Sequence, residues 1–278
     1  MRKIKIVADS ASDVLKLNDL SFAAAPLKIV TSEKEFIDNE ALDAEAMVVY
    51  FDSYKGKSST SCPNPADWIT AFGDAEDVFC VTITSGLSGS YNSAMVAKKM
   101  YESENADRRV YVIDSLSAGP ELKLIIEKLK EYVDAETDYN EICRKIEEYK
   151  KNTGLLFMLK SMKNLANNGR VSKFSAKLAE ILKIHAVGRA SNKGDLEPLN
   201  KCRGELNALS KIVYHLKAAG LNEGKVRIAH CLNESAAFNL KNMIENEFKK
   251  AKVEIYKCRG LCSFYAEKGG LLVGFEKM

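Results

Sequence analysis

Residues 78–94 have the sequence VFCVTITSGLSGSYNSA, which carries the clearest signal of the fold class. The apolar and β-branched residues at 78–82 predict a buried strand, and a loop rich in Gly, Ser and Thr follows at once. A helical pattern then begins at Ser90. A buried strand that passes through a short loop into a helix is typical of a parallel sheet covered by helices.

The same order of elements recurs throughout the first half of the chain. Short apolar runs at residues 4–7 and 110–113 predict two further strands, and each precedes a cluster of Ser, Gly or Asp residues. The predicted helices of this half lie at residues 65–72, 90–100 and 122–132. We therefore expect an N-terminal α/β domain with a mostly parallel sheet and flanking helices.

A different pattern begins near Asn152. Asp138 and Glu141 have the spacing of a capping box, and the helix that they begin would close a first domain over residues 1–152. Residues 191–195 indicate a hairpin turn. The remaining elements predicted in residues 153–278 are helices at 161–167, 172–182, 205–219 and 235–249 and strands at 183–189, 196–203, 226–231, 253–257 and 271–275. This order indicates a C-terminal α/β domain with a largely antiparallel or mixed sheet.

The composition is that of a globular protein with a substantial core. Hydrophobic residues make up 46% of the 278 residues and charged residues 28%. No run reaches the roughly 18–20 apolar residues that a bilayer span needs, and the apolar stretch at residues 4–7 is too short for a signal peptide. These features predict a cytoplasmic protein.

Charge and cysteine content limit the function classes. Residues 1–150 carry 18 Lys and Arg against 27 Asp and Glu, whereas residues 151–278 carry 23 against 11. The basic half would attract an acidic partner or a membrane surface, although solvated surfaces alone also explain the asymmetry. The seven cysteines are scattered, without a CxxC pair, and only three histidines accompany them, so we expect reduced thiols and no metal.

Three hydroxyl-rich segments are the candidates for a binding site. They comprise residues 9–13, 58–63 and 84–93, with a weaker fourth at 114–117. Loops at the carboxyl ends of parallel strands converge on one edge of the sheet, where hydroxyls and helix N-terminal amides suit an oxyanion. Each Ser or Thr taken singly is more often a helix cap or turn residue, so only the repetition favours a site.

The sequence lacks the motifs that are typical of several other function classes. Residues 86–90, GLSGS, miss the G-x-S-x-G motif of serine hydrolases, and a triad would depend on His230 as its base. No dinucleotide-binding or P-loop glycine motif is present. The basic half has few aromatic residues outside core spacing, so we expect no nucleic-acid partner.

These motifs together resemble the DegV family, which includes the fatty-acid-binding subunits of bacterial fatty acid kinase. They occur in the family's order, as DSASD (9–13), PLKI (26–29), TSCPNP (60–65), TSGLSGSYNSA (84–94), VIDSLS (112–117) and NNGRVS (167–172). The resemblance covers nearly the whole chain. Several short motifs in the right order are more specific than any single one. The resemblance implies two α/β domains with an acyl chain in an apolar tunnel between them.

The resemblance also implies roles for individual residues. Thr60 and Ser93 would bind the fatty acid carboxylate, with Ser61 and Ser90 as less direct candidates. Arg170 matches the arginine that is associated with phosphoryl transfer by the kinase partner. The family's C-terminal H-x-G-P-G is replaced by residues 265–269, YAEKG, so Tyr265 takes the place of a histidine that helps to hold the carboxylate.

Three further family motifs differ in this chain. Residues 119–121 are GPE where the family has a small-residue turn, residues 184–186 are IHA in place of I-K-P, and Asn168 replaces the first glycine of G-G-R. The predicted function is a non-catalytic, cofactor-free subunit that binds a long-chain fatty acid and presents it to the catalytic subunit of fatty acid kinase. A transient membrane contact would fit the basic half. The alternative is a small-molecule enzyme whose Ser and Thr loops bind a carboxylate or phosphate.

Overall fold

The computed structural model describes residues 2–171 and 184–277. The predicted helix at 172–182 lies outside the described residues. The same holds for Ser172 of the NNGRVS motif and for Lys183, the first residue of a predicted strand.

The described part of the chain forms thirteen strands and nine α-helices. The strands are β1 (Ile4–Asp9), β2 (Phe22–Ala25), β3 (Lys28–Thr31), β4 (Glu35–Ile37), β5 (Ser58–Ser61), β6 (Asp77–Thr82), β7 (Arg109–Asp114), β8 (Thr153–Leu159), β9 (Ile184–Ala190), β10 (Leu196–Arg203), β11 (Lys225–His230), β12 (Lys252–Lys257) and β13 (Leu271–Glu276). The α-helices are α1 (Ala44–Ser53), α2 (Pro65–Phe72), α3 (Ser90–Glu104), α4 (Pro120–Asp134), α5 (Tyr139–Lys151), α6 (Lys163–Asn167), α7 (Glu205–Ala218), α8 (Glu234–Glu247) and α9 (Gly260–Ala266).

The first sheet is parallel throughout, in the order β2-β1-β6-β7. Every residue of β6 is buried, because helices cover both faces of this sheet. Strand β6 leads directly into the loop that carries the serines, and α3 begins at Ser90. The predicted parallel sheet with flanking helices is therefore confirmed.

The second sheet has six strands in the order β10-β9-β8-β13-β11-β12. All of its pairs are antiparallel except β11 with β12, so the predicted mixed sheet is confirmed. Helices α7 and α8 cover one face. Helix α4 contacts both sheets, and Gly274 of β13 lies so close to Pro120 that an added Cβ would come within 2.5 Å of its carbonyl carbon. This close approach packs the start of α4 directly against β13.

A third, three-stranded sheet in the order β4-β3-β5 was not predicted from the sequence. We expected residues 58–63 to form a loop, and this was wrong for Ser58–Ser61, which pair antiparallel with β3. Thr60 lies opposite Ile29 in this ladder. The strand has four hydroxyl residues and no apolar alternation, and it gains its regular structure from backbone pairing alone.

Tyr265 also lies in an element that the sequence did not predict. We predicted no helix or strand between residues 257 and 271, but Tyr265 belongs to helix α9. The Asp38 carboxylate accepts hydrogen bonds from the amides of Gly260 and Leu261, at 2.9 and 2.8 Å. This cap comes from a residue more than 200 positions away, so the local sequence carries no signal for it.

Across the described ranges, none of the helices is both long enough and apolar enough to span a membrane.

Candidate ligand-binding site

A cavity of about 350 Å³ lies between the first two sheets, bordered by the end of β5, the loop after β6, strand β8 and helix α9. This volume is at the lower end of the range typical of small-molecule sites, roughly 300–1,000 Å³. The described residues that line it are Leu27, Thr60, Ser61, Cys62, Ile83, Leu87, Ser88, Gly89, Ala118, Leu155, Phe157, Leu159, Leu165, Arg170, Leu196, Leu261, Cys262, Tyr265, Ala266 and Leu272.

Two predicted site residues, Thr60 and Tyr265, meet in the wall of this cavity. Thr60 Oγ1 and the Tyr265 hydroxyl oxygen are 2.7 Å apart, and either group is able to donate the hydrogen bond. Burial raises the pKa of the Tyr265 phenol, and the Thr60 hydrogen bond and the Arg170 charge only partly oppose this rise. Tyr265 is therefore a neutral donor at physiological pH.

Arg170 is the only charged residue among the described residues that line the cavity. Its Nε donates to the Leu87 carbonyl oxygen at 3.4 Å, and its Nη1 donates to the Asn168 carbonyl oxygen. These contacts place the guanidinium beside the loop after β6. Gly89 of the same loop lies so close to Cys62 that an added Cβ would come within 3.3 Å of its Sγ.

The hydrogen bonds and close contacts therefore group the polar residues at one end of the cavity. Thr60 touches Tyr265, the Arg170 charge acts on Tyr265, and Arg170 touches the loop that contains Ser88. Ser61, Cys62 and Gly89 adjoin these groups in the chain, and the rest of the lining is formed by Leu, Ile, Phe and Ala side chains and by Cys262. The cavity thus combines a polar end with an apolar body.

The three predicted serines occupy different environments. Ser61 is exposed and lines the cavity. Ser93 does not belong to the lining, and its Oγ donates to the Pro63 carbonyl oxygen at 2.7 Å, behind the loop that follows β5. Ser90 is fully buried and donates to Asp9 Oδ2 at 2.6 Å, also outside the lining.

Ser88 and Cys62 line the cavity as well, although neither was predicted as a site residue. Both belong to the segments that were singled out, and Ser88 is half-buried in the wall. The position of Ser88 in the sequence could have indicated its role. It lies two residues before α3, where loop hydroxyls and amides face the sheet edge. Sequence alone did not show which serines of that loop face inward.

Three kinds of candidate catalytic group can be examined among the described residues at or near this site. The buried Ser90–Asp9 pair is closed to substrate, because both side chains are fully buried. Burial raises the thiol pKa of Cys62 and Cys262, which makes both poor nucleophiles. His230 does not line the cavity. Over residues 2–171 and 184–277, no group of three or more His, Cys, Asp or Glu residues is arranged to hold a metal ion.

The fold and the cavity define an α/β protein of parallel and mixed sheets with an apolar cavity that is polar at one end. Known sequences identify the family to which the chain belongs. The profile of the DegV family, described as an uncharacterised protein family, matches residues 3–277, and the chain belongs to this family. A DegV domain-containing protein of Streptococcus pneumoniae is 39% identical over 276 residues, which is 98% of each chain.

Solved structures of relatives share the whole architecture. A DegV family protein from Eubacterium eligens, loaded with heptadecanoic acid, is 43% identical and superposes with a TM-score of 0.96 over 99% of this chain and 100% of that chain. The Fatty Acid Kinase (Fak) B3 protein of Streptococcus pneumoniae, loaded with linoleic acid, is 38% identical, with the same TM-score and coverage. The predicted fold and family are thus confirmed.

Proposed function

We propose that this chain binds one long-chain fatty acid in the cavity, with the carboxylate at the polar end and the acyl chain along the apolar body. The observation that carries the proposal is the division of the cavity lining into these two parts. Two relatives of the same architecture were solved with long-chain fatty acids bound, which supports the same ligand class here.

The apolar body supplies most of the affinity in this proposal. Each buried methylene contributes about 0.8 kcal/mol, so a long acyl chain outweighs any single polar contact. The Thr60–Tyr265 pair orients the carboxylate by donating its one free hydroxyl proton, without adding charge. Ser61 lines the polar end and contacts the carboxylate there. Ser93 acts on the carboxylate either through the loop that it holds at Pro63 or directly, after a change of rotamer. Ser90 acts indirectly, by holding Asp9 in place.

The bound carboxylate is then presented to the catalytic subunit of a fatty acid kinase, and the chain itself is non-catalytic and needs no cofactor. Arg170 supports this step, because a guanidinium at the polar end stabilises negative charge on a phosphoryl group in transfer. The basic half, residues 151–278, supplies the surface for the kinase and for a transient membrane contact. We place the boundary with the first domain, residues 1–152, between α5 and β8.

Native mass spectrometry of the protein as purified from cells tests the ligand class. A co-purifying mass equal to one long-chain fatty acid, lost after delipidation and regained on adding oleic acid, is the expected result. A co-purified small polar carboxylate or phosphate ester, with no uptake of oleic acid, would instead favour a small-molecule enzyme. Addition of a cognate kinase and ATP to the loaded protein then tests for an acyl phosphate product.

A further inference from the structure

Leu155 of β8 separates the ligand cavity from a second, larger cleft. Its side chain is 4% exposed and lines both spaces. The second cleft has a volume of about 610 Å³ and lies where the start of β8 meets the ends of α5, α7 and β9. Within the described residues, Leu155 is the only residue that lines both the cavity and this cleft.

The long axis of the cavity runs along strand β8. Leu155, Phe157 and Leu159 face it from alternate positions of the strand, as the two-residue period of a strand requires. Strand β8 continues after Leu159 into α6 and then to Arg170, so Leu159 marks the polar end. At about 3.3 Å per residue, Leu155 lies about 13 Å further along the strand, at the opposite end.

The second cleft offers a different environment from the ligand cavity. Thr153, two residues before Leu155 on the same face of β8, donates to Glu121 Oε1 at 2.7 Å. Glu121 is buried, and burial raises the pKa of its carboxyl group. Lys150 and Arg189 add charge to the lining, whereas the remaining wall includes leucines and Phe275. An acyl chain that passed Leu155 would first meet the Glu121–Thr153 pair.

We infer that Leu155 sets the upper length limit of the acyl chain that this protein accepts. The inference rests on the proposed fatty acid binding and deepens it. In this arrangement the methyl end of the ligand stops against Leu155, whose isobutyl group closes the apolar cavity against the buried Glu121–Thr153 pair. A longer chain must either fold back within the cavity or displace Leu155 and bring its methylenes against the polar and charged lining of the second cleft, and both cost affinity.

Competition binding with palmitoleic, oleic and erucic acids tests the inference, because these acids share one cis double bond and differ in length. The native protein is expected to bind erucic acid about tenfold more weakly than oleic acid, the scale on which pockets discriminate added methylenes. Leu155→Ala opens the wall, so the ratio between these two acids should fall to about two. Leu155→Phe, which thickens the wall, should shift the preference toward palmitoleic acid.

Leu159→Ala is the matched control, because Leu159 is equally buried on the same strand face but does not border the cleft. It should weaken all three acids by the same factor. If Leu155→Ala does the same, the inference is overturned. If the native protein binds none of the three acids, the proposed function itself fails, and this result is distinct from a native protein that binds all three with equal affinity, which overturns the length limit alone.

Discussion

The hydroxyl oxygens of Thr60 and Tyr265 lie 2.7 Å apart, although the two residues are 205 positions apart in the chain. Thr60 is held by the ladder between β5 and β3, and Tyr265 by helix α9. Two hydroxyls carry two protons, and one of them is used in their mutual hydrogen bond. The pair therefore offers one free proton to a carboxylate without adding charge.

We expect Thr60→Ala and Tyr265→Phe each to weaken oleic acid binding by about 1–3 kcal/mol, the scale for losing a hydrogen bond to a charged group. Titration with a fluorescent fatty acid measures this change. Because both residues serve one carboxylate, the double variant should lose less than the sum of the single losses. Unchanged affinity in both single variants would remove the pair from the site.

Ser93 tests whether the loop behind the site matters. Its Oγ donates to the Pro63 carbonyl oxygen, so Ser93→Ala should weaken fatty acid binding by about 1 kcal/mol, either by loosening this loop or by removing a direct contact. The matched control is Ser103→Ala, since Ser103 belongs to the same helix and donates to a backbone oxygen, but is exposed and about 15 Å along the helix. Equal effects of both substitutions would remove Ser93 from the proposed site.

Arg170 separates binding from transfer. We expect Arg170→Ala to leave oleic acid affinity within about twofold and to lower acyl phosphate formation by a cognate kinase by 10²-fold or more, as for loss of a group that stabilises transition-state charge. Arg203→Ala, which removes an exposed arginine of the same half, is the control for a general effect of charge. A large loss of oleic acid affinity in Arg170→Ala would show that the guanidinium itself binds the carboxylate.

The sequence predicted those parts of the fold whose signals are local. Helix α2 has the predicted bounds, Pro65–Phe72, because Asn64 and Asp67 form a capping box there. Helix α3 extends four residues beyond the predicted 90–100, to Glu104, since no Gly or Pro ends it earlier. Strand β10, Leu196–Arg203, also has the predicted bounds.

The parts that the sequence did not predict depend on distant partners. Strand β5 is regular only because it pairs with β3, and α9 is held by Asp38 from the other half of the chain. Gly260 makes this cap feasible, since an added Cβ would come within 2.6 Å of the Asp38 carboxylate. The close contact of Thr60 with Tyr265 follows from these two long-range interactions, so motif order placed both residues in one site without showing their mutual hydrogen bond.

Asp9 should make the protein less stable as the pH rises. It is fully buried at the end of β1, and burial raises its pKa to about 7, although hydrogen bonds from Ser90 and the Ile83 amide oppose this. An unfolded Asp has a pKa of about 3.9. Between these values the folded state binds more protons, so the free energy of unfolding falls as pH rises toward 7 and then levels off.

Asp9→Asn removes this titration while it keeps an acceptor for Ser90. We expect urea unfolding of the variant to show a smaller decline in stability between pH 5 and 7 and a higher stability at pH 8. Asp77→Asn is the control of opposite sign, because hydrogen bonds from Arg109 and Arg2 outweigh burial and lower the Asp77 pKa. That variant should lose stability at neutral pH. An unchanged slope in Asp9→Asn would assign the decline to Asp13 or Asp38, whose pKa values burial also raises.

Tyr265 should give fatty acid binding that is insensitive to pH near neutrality. Its phenol stays neutral, since burial raises a pKa that is ordinarily about 10, so it donates one hydrogen bond and adds no positive charge. A histidine at this position would titrate near pH 6.5 and would pair with an ionised carboxylate when protonated. Binding by the native protein should therefore lack a transition between about pH 5.5 and 7.5.

Tyr265→His should acquire that transition, with tighter binding on the acidic side while the ligand stays ionised, because an imidazolium adds a charge-assisted hydrogen bond to the carboxylate. Tyr265→Phe is the control and should bind more weakly at every pH without a transition. Binding of oleic acid measured across the range for all three proteins decides the matter. A transition of equal size in the native protein and in Tyr265→His would mean that another group titrates at the site. Asp9 would then be the first residue to replace, since burial raises its pKa to about 7 and its partner Ser90 directly follows the loop at the site. His230, which does not line the cavity, would be the second.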